Sequence, residues 1–474
     1  VVFPAEEAAF WVVANGSLQK FRVGLDPSRG TQLIPMGSPR LVGEPTQPPQ
    51  INNRRDAACL IVRSPDSSGY KAVLVNLRDG EERWQRQLGV VPAATPIPQG
   101  EGVLLVAEDG GIILIPAASG AAPGRNIAAP AEWLIAAPPE NATGPTAVAA
   151  SGDGKVVFTV TPVVVREEQR ALPKFVVRRV VEGRVVHEGM ATAPGALAGP
   201  PTLVGDALLL PLSDGFIHRH NIGVSPNPDT LTAGPLWAGE RRVAEAVCYI
   251  TALSPSAFLT SNGTPKLSKW DWPSGGRWSP TGVTVELRER PAGPGVLLPS
   301  AAAGASQRFM IADVAGSLWL FDAERAGQPI RRWRPGVGIM PVGQPTSPLV
   351  LQSDPSGRTH VAYTVANRFL VCVEPDRDTP LWAVRAGEEA ETAIVGAPQA
   401  AAGGRWIATD LAGRLVVHEG ASGKVEMTLE IRLPGAVPAV AAGPLGSASI
   451  LTALSDGSGV VIPLPAAGAP EPIP

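Results

Sequence analysis

Apolar residues along this chain come in short runs separated by Gly, Pro, Asn and Asp, and the clearest example is residues 311–333, IADVAGSLWLFDAERAGQPIRRW. The pattern predicts three strands. Residues 309–313 form a short apolar strand, Val314-Ala315-Gly316 turns the chain, and in 317–322 Leu318 and Leu320 alternate with Trp319 and Phe321. After a second turn at 324–327, a third strand runs over 330–333 to Pro335-Gly336. Alternation at period two, bounded by residues that tolerate turn dihedrals, is the pattern of β-hairpins.

The same pattern recurs through the chain. Hairpin turns fall near residues 16, 69, 110, 170, 215, 263, 316, 368, 413 and 457, a mean spacing of about 49 residues. Between hairpins stands one further apolar run preceded by Pro, as in VVPAATPIP, GALAGPPTLV, AGPGVLLP and GQPTSPLVLQ. That run supplies a fourth strand, the innermost, where Ala and Gly fit as repeated units converge on an axis. No window of a dozen residues free of Gly and Pro shows helical periodicity. The pattern therefore predicts an all-β fold, a β-propeller of four-stranded antiparallel blades with eight to ten blades. A pair of β-sandwiches would not keep one spacing throughout. Residues 1–464 read as a single propeller, and the Pro- and Ala-rich stretch 465–474 as a tail or linker.

Composition agrees with a folded, turn-rich chain. There are 52 Gly and 50 Pro among 474 residues, which without periodicity would suggest disorder, but 44% of residues are hydrophobic and periodically placed. A net charge of −3 leaves no overall field to attract nucleic acid. No apolar stretch has the roughly 20 residues a membrane helix needs. VVFPAEEAAF shows neither a basic start nor a cleavage pattern, and a chain beginning with Val is expected to be a processed or excised piece. Cys59, Cys248 and Cys372 lie in separate apolar runs without Cys-x-x-Cys spacing, so each is expected to be a buried thiol, with one disulfide as the alternative.

Three segments carry a resemblance. Asn76 is followed by Asp79-Gly80 and Trp84, Asp322-Ala323 by Ala326-Gly327 and Trp333, and Glu419 by Ser422-Gly423 and Met427. This resembles the repeat of the pyrroloquinoline-quinone-like propellers, in which a strand end, a turn ending in Gly and a docking Trp join neighbouring blades. The resemblance spans most of the chain as worn copies, and the copy at Asp322 has two extra residues before its Trp. The family includes quinoprotein dehydrogenases, the lipoprotein of the outer-membrane β-barrel assembly machinery, and sensor or scaffold propellers. Its dehydrogenases hold the quinone with adjacent cysteines and a calcium site of Glu, Asn and Asp. This chain has no adjacent cysteines, so no cofactor is expected and a non-dehydrogenase member is implied.

Candidate chemistry is sparse. His218 and His220 lie two apart on one strand face and could give two metal ligands, but no third ligand stands nearby in sequence, so no metal is expected. Among eleven Trp residues, Trp84, Trp237, Trp333 and Trp382 are expected at equivalent blade positions and read as blade-docking residues. Trp270, Trp272 and Trp278 cluster in KWDWPSGGRW and suit a partner's apolar anchor or a sugar ring, with blade packing as the plainer reading. Arg54 and Arg55 in NNRRD, and Glu167 and Glu168 in REEQR, complete the candidate binding surface, solvated turns being the plainer reading. The expectation is a non-catalytic scaffold or sensor propeller of a bacterial periplasmic, envelope or extracellular protein. It would bind a protein partner or larger assembly, with carbohydrate as a second ligand class. The alternative is an enzyme, a divergent quinoprotein-type dehydrogenase or a hydrolase, with its site at the central channel mouth.

Overall fold

The computed structural model describes residues 2–6, 9–14, 17–26, 30–42, 44–45, 50–51, 56–63, 70–88, 93–94, 97–99, 102–116, 127–130, 132–135, 139, 141–152, 154–167, 170–223, 228–238, 247–271, 279–299, 306–325, 327–354, 356–385, 394, 397–401, 403–409, 414–430, 439–442, 449–453 and 458–463. Every regular element among them is a strand, and the strands form ten antiparallel sheets of four, one carrying a divided first strand. Numbered in chain order, the sheets occupy residues 2–41, 44–88, 97–135, 147–192, 202–236, 250–286, 296–333, 350–385, 399–430 and 439–463. In each of sheets 4 to 9 the strands lie side by side in chain order. The first strands of sheets 4 to 7, and of sheets 8 to 10, contact one another in succession, which places the Pro-preceded runs innermost. The architecture is a β-propeller.

The middle strands explain why apolar residues run continuously instead of alternating with polar ones. In sheet 7, Arg308–Ala312 pairs with Leu318–Asp322, Ile311 opposite Trp319. Met310, Ala312, Leu318 and Leu320 share a core with Val361, Tyr363 and Val365 of sheet 8. Phe309, Ile311, Trp319 and Phe321, one residue out of phase, share another with Leu253, Leu259 and Leu267 of sheet 6. Successive side chains point to opposite faces of a strand, and here both faces are covered by neighbouring sheets.

Closure occurs away from the first sheet. Strand Ile127–Pro130 leaves sheet 3 and pairs antiparallel with Ser458–Pro463, giving sheet 10 its fourth strand, and Ile112–Pro116 contacts Ser449–Ala453. The last sheet is thus tied to the third, and sheets 3 to 10, eight in number, adjoin in sequence. Sheets 1 and 2 share a core of their own, built from Trp11, Leu18, Leu60, Val73 and Leu77.

Two copies of the repeat show how sheets are joined. Gly80 and Gly423 both have φ +72°, and each N–H donates to the carbonyl four residues back, Asn76 and Glu419. A Trp of the preceding sheet lies on each Gly: a Cβ on Gly80 would stand 2.4 Å from Trp11, and one on Gly423 2.5 Å from Trp382. The indole N–H of Trp11 donates to Leu77 O, and that of Trp382 to Gly420 O. At Gly327, in the third copy, no side chain lies within contact, and Lys269 Nζ donates to Ala323 O at the corresponding carbonyl. The docking tryptophans do not occupy one strand position: Trp382 opens its strand, Trp333 closes its strand and Trp237 follows its strand. Unequal turn lengths shift each Trp along its strand, yet Trp333 and Trp382 still reach the core shared with the following sheet.

Candidate functional site

The turns between second and third strands and the connections from each fourth strand to the next sheet lie at one end of the sheets. A groove of about 920 Å³ opens in this face across sheets 4 and 5. Its walls come from the approach to sheet 4 (Thr143, Pro145), the approach to sheet 5 (Leu197, Pro200), and Trp237 and Val247 on the connection to sheet 6. None of the described residues lining it carries a titratable side chain.

A hydrogen-bonded frame holds the walls. Ser213 N donates to Ala196 O at 2.8 Å, and Ala196 N returns a bond to Ser213 Oγ at 3.0 Å. Cys248 N donates to Ala198 O, and a Cβ on Gly199 would stand 1.8 Å from Cys248 O, so the two connections touch through backbone and only Gly fits there. Trp237 lies 6% exposed with its indole N–H on Leu212 O. Asp214 accepts from Phe216 N at 3.0 Å and from His218 Nε2 at 2.7 Å, which fixes the turn below. Preformed, mostly apolar concavities with occupied polar groups favour binding over proton transfer.

On the outer side, sheets 4 and 5 are clasped by a cluster that sequence spacing hides. Asp229 Oδ2 accepts from His187 Nε2 at 2.9 Å and from His220 Nε2 at 2.8 Å, while Oδ1 accepts from Gly223 N at 2.7 Å. A Cβ on Gly189 would lie 2.1 Å from Asp229 Oδ2, so the close approach depends on that glycine. His218 and His220 share a strand but serve different carboxylates. Among the described residues, no group of three or more His, Cys, Asp or Glu is arranged to hold a metal. His187, 42 residues from Asp229, could have been found only by pairing the fourth strands of adjacent sheets.

Burial lowers the pKa of His220 and of His418 below the ordinary 6.5, more than their hydrogen bonds raise it. A histidine held neutral in the fold binds a proton more readily when unfolded, so stability is lost as pH falls below 6.5. Burial raises the Asp229 carboxyl, but bonds from His187, Gly223 and His220 outweigh it and hold it below 3.8. Burial likewise opposes, and bonds from Ser356 and Arg358 overcome, at Asp354, which lies at about 2. Carboxylates depressed in the fold add stability that is lost as pH falls below 3.8. Urea unfolding is therefore expected to show two acid losses, the first below pH 6.5 with a slope of at most about 1.4 kcal/mol per pH unit for each histidine. His220→Asn should reduce that first slope; an unchanged slope would contradict the assignment.

Of the sequence-predicted surface residues, Trp270 and Glu167 are among the described residues. Trp270 is half-buried on Lys266–Asp271, donates its indole N–H to Thr260 Oγ1 at 3.0 Å and packs on the core between sheets 5 and 6. Glu167 ends the second strand of sheet 4 and pairs with Lys174. Trp272, Trp278, Arg54, Arg55 and Glu168 lie outside the described residues. Cys59, Cys248 and Cys372 are buried thiols outside any disulfide, and burial pushes the thiols of Cys248 and Cys372 up, away from reactivity. No helix among the described residues is long and apolar enough to cross a membrane.

No protein-family model and no curated protein matches the sequence. Among solved structures the chain is similar to Saccharomyces cerevisiae Sqt1, with TM-score 0.50 and 12% identity over 80% of this chain and 96% of that one. It is also similar to BamB from Moraxella catarrhalis, with TM-score 0.48 and 12% identity over 79% and 95%. A third is the dihydro-heme d1 dehydrogenase NirN in complex with DHE, with TM-score 0.46 and 12% identity over 82% and 75%. The likeness to Sqt1 is one of fold, the β-propeller.

Proposed function

We propose that this chain is a non-catalytic binding propeller that holds a protein partner, or one component of a larger assembly, on the face carrying the groove of sheets 4 and 5. The observation that carries this reading is the groove itself: about 920 Å³, framed by occupied hydrogen bonds, with no titratable side chain among its described lining residues. Such a surface recognises shape and apolar side chains. The repeat device at Gly80 and Gly423 supports membership of the pyrroloquinoline-quinone-like group and, with it, a bacterial extracytoplasmic setting.

The test fills the groove. Ala196 is exposed on its wall, and Ala196→Trp leaves the backbone bonds to Ser213 intact. The substitution is expected to lower partner crosslinking in the native cell by at least about tenfold while the melting temperature stays unchanged. A tightly bound, redox-active quinone in the purified protein would instead establish the enzyme reading.

A further inference from the structure

The same face carries a second feature, at sheets 6 to 8. The connection from sheet 7 to sheet 8, residues 334–349, is a folded loop with its own hydrogen bonds: Val337 N to Arg334 O, Met340 N to Val337 O and Gly336 N to Met340 O. Met340 anchors it, 3% exposed, with Tyr363 Oη donating to its Sδ at 3.7 Å. The loop packs on the turn of sheet 7 so closely that a Cβ on Gly316 would stand 2.3 Å from Gly343 O. That turn is in turn held to the connection from sheet 6 by Val314 N on Arg290 O at 2.9 Å.

Three adjoining segments therefore form one braced ridge. From it project Val337 at 59%, Ile339 at 52% and Val342 at 74% exposure. A loop fixed this firmly could have folded its aliphatic side chains inward, as it does Met340, but it holds three of them in water. Arg334 opens the same loop, and Arg288 and Arg290 lie on the connection from sheet 6 that is bonded to the turn; all three are exposed and without an ion pair among the described residues. Arg332 lies beneath, its guanidinium 4.2 Å from the Trp319 ring centroid and Nη2 on Ser317 Oγ. Burial first, and then the like charge of Arg334 and of Arg288, lower the Arg332 pKa against the pull of Asp313, which places these cations within electrostatic reach of one another. The acidic groups here are Glu289, exposed, and Asp313, fully buried and engaged by Ser317 N and Trp319 Nε1.

We propose that the ridge of Val337, Ile339 and Val342, flanked by Arg288, Arg290 and Arg334, docks an extended segment of a partner protein that carries aliphatic side chains next to carboxylates. The inference rests on the binding reading above and names the partner's chemistry at a second place on the same face. Aliphatic contacts would supply the affinity, and the arginines would select acidic segments and speed their approach.

The experiment places a photo-crosslinking residue at Ile339, and separately at Ala196, of the full chain in its native cell. The crosslinked segment is then sequenced and synthesised as a peptide. Crosslinking at 339 to a segment holding at least two aliphatic residues and a net negative charge is expected. That peptide should bind the unmodified chain and bind Ile339→Asp and Arg334→Glu at least about tenfold more weakly, with both variants melting normally. Crosslinking at 196 but not at 339 would overturn the ridge while leaving the groove reading intact, and no crosslink at either would overturn both. Crosslinks at 339 only to a second copy of this chain, to lipid, or to a basic segment would also overturn the proposal.

Discussion

Trp333→Ala is expected to destabilise the protein by about 3–5 kcal/mol, the cost of deleting a large aromatic from a closed core. Trp333 is 2% exposed and stands among Leu320, Met340, Val361 and Tyr363, so its removal opens a cavity between sheets 7 and 8. Its indole N–H has no hydrogen-bond partner among the described residues, so the loss is one of packing. Trp333→Phe should accordingly cost much less than the alanine change. Guanidinium unfolding measures both through the midpoint at constant slope. A loss under about 1 kcal/mol for the alanine variant would mean that the sheets do not depend on this contact.

Asp313→Ala is expected to cost a similar amount, about 3 kcal/mol or more, for a different reason. The Asp313 carboxylate is fully buried; Oδ1 accepts from Ser317 N at 2.9 Å and Oδ2 from Trp319 Nε1 at 3.0 Å. Truncation leaves both donors buried without an acceptor, each at about 1–3 kcal/mol, and removes a counter-charge that acts on Arg332. Because the turn 313–316 braces the loop 334–349, the variant should also speed hydrogen exchange at Met340 N–H, which Trp333→Phe should not. Equal exchange in the two variants would contradict this coupling.

The architecture was legible because propeller units repeat. Hairpin turns at Asp109-Gly110, Asp214-Gly215 and Val314-Ala315-Gly316 mark themselves through glycine, and the structure places Gly110, Gly215 and Gly316 at φ between +87° and +94°. The Pro-preceded runs became first strands for a steric reason, since small residues suit the crowded axis. Closure was not legible: Ile127–Pro130 pairs with a strand more than 300 residues later, and nothing in IAAP distinguishes it from other short apolar runs.

The site was less legible than the fold. Sequence clusters drew attention to KWDWPSGGRW, yet Trp270 in that run is bonded into its own sheet through Thr260. The groove was invisible because its lining is mostly Ala, Pro, Gly and Thr brought together from separate stretches of the chain, none unusual in composition. The aliphatic ridge lay within RPGVGIMPVG, where a sequence cannot tell that Met340 turns inward while Ile339 turns outward. Likewise, His187 and His220 meet at Asp229 only once sheets 4 and 5 are set side by side.

Hydroxyl-radical footprinting of the protein within its native assembly, compared with the isolated chain, tests most directly whether this face is where it works. Protection is expected at Leu197 and Val247 on the groove, with the turn 375–381 at the opposite end of sheet 8 as reactive as in the isolated chain. Unchanged reactivity at Leu197 and Val247, or protection confined to that opposite end, would contradict it.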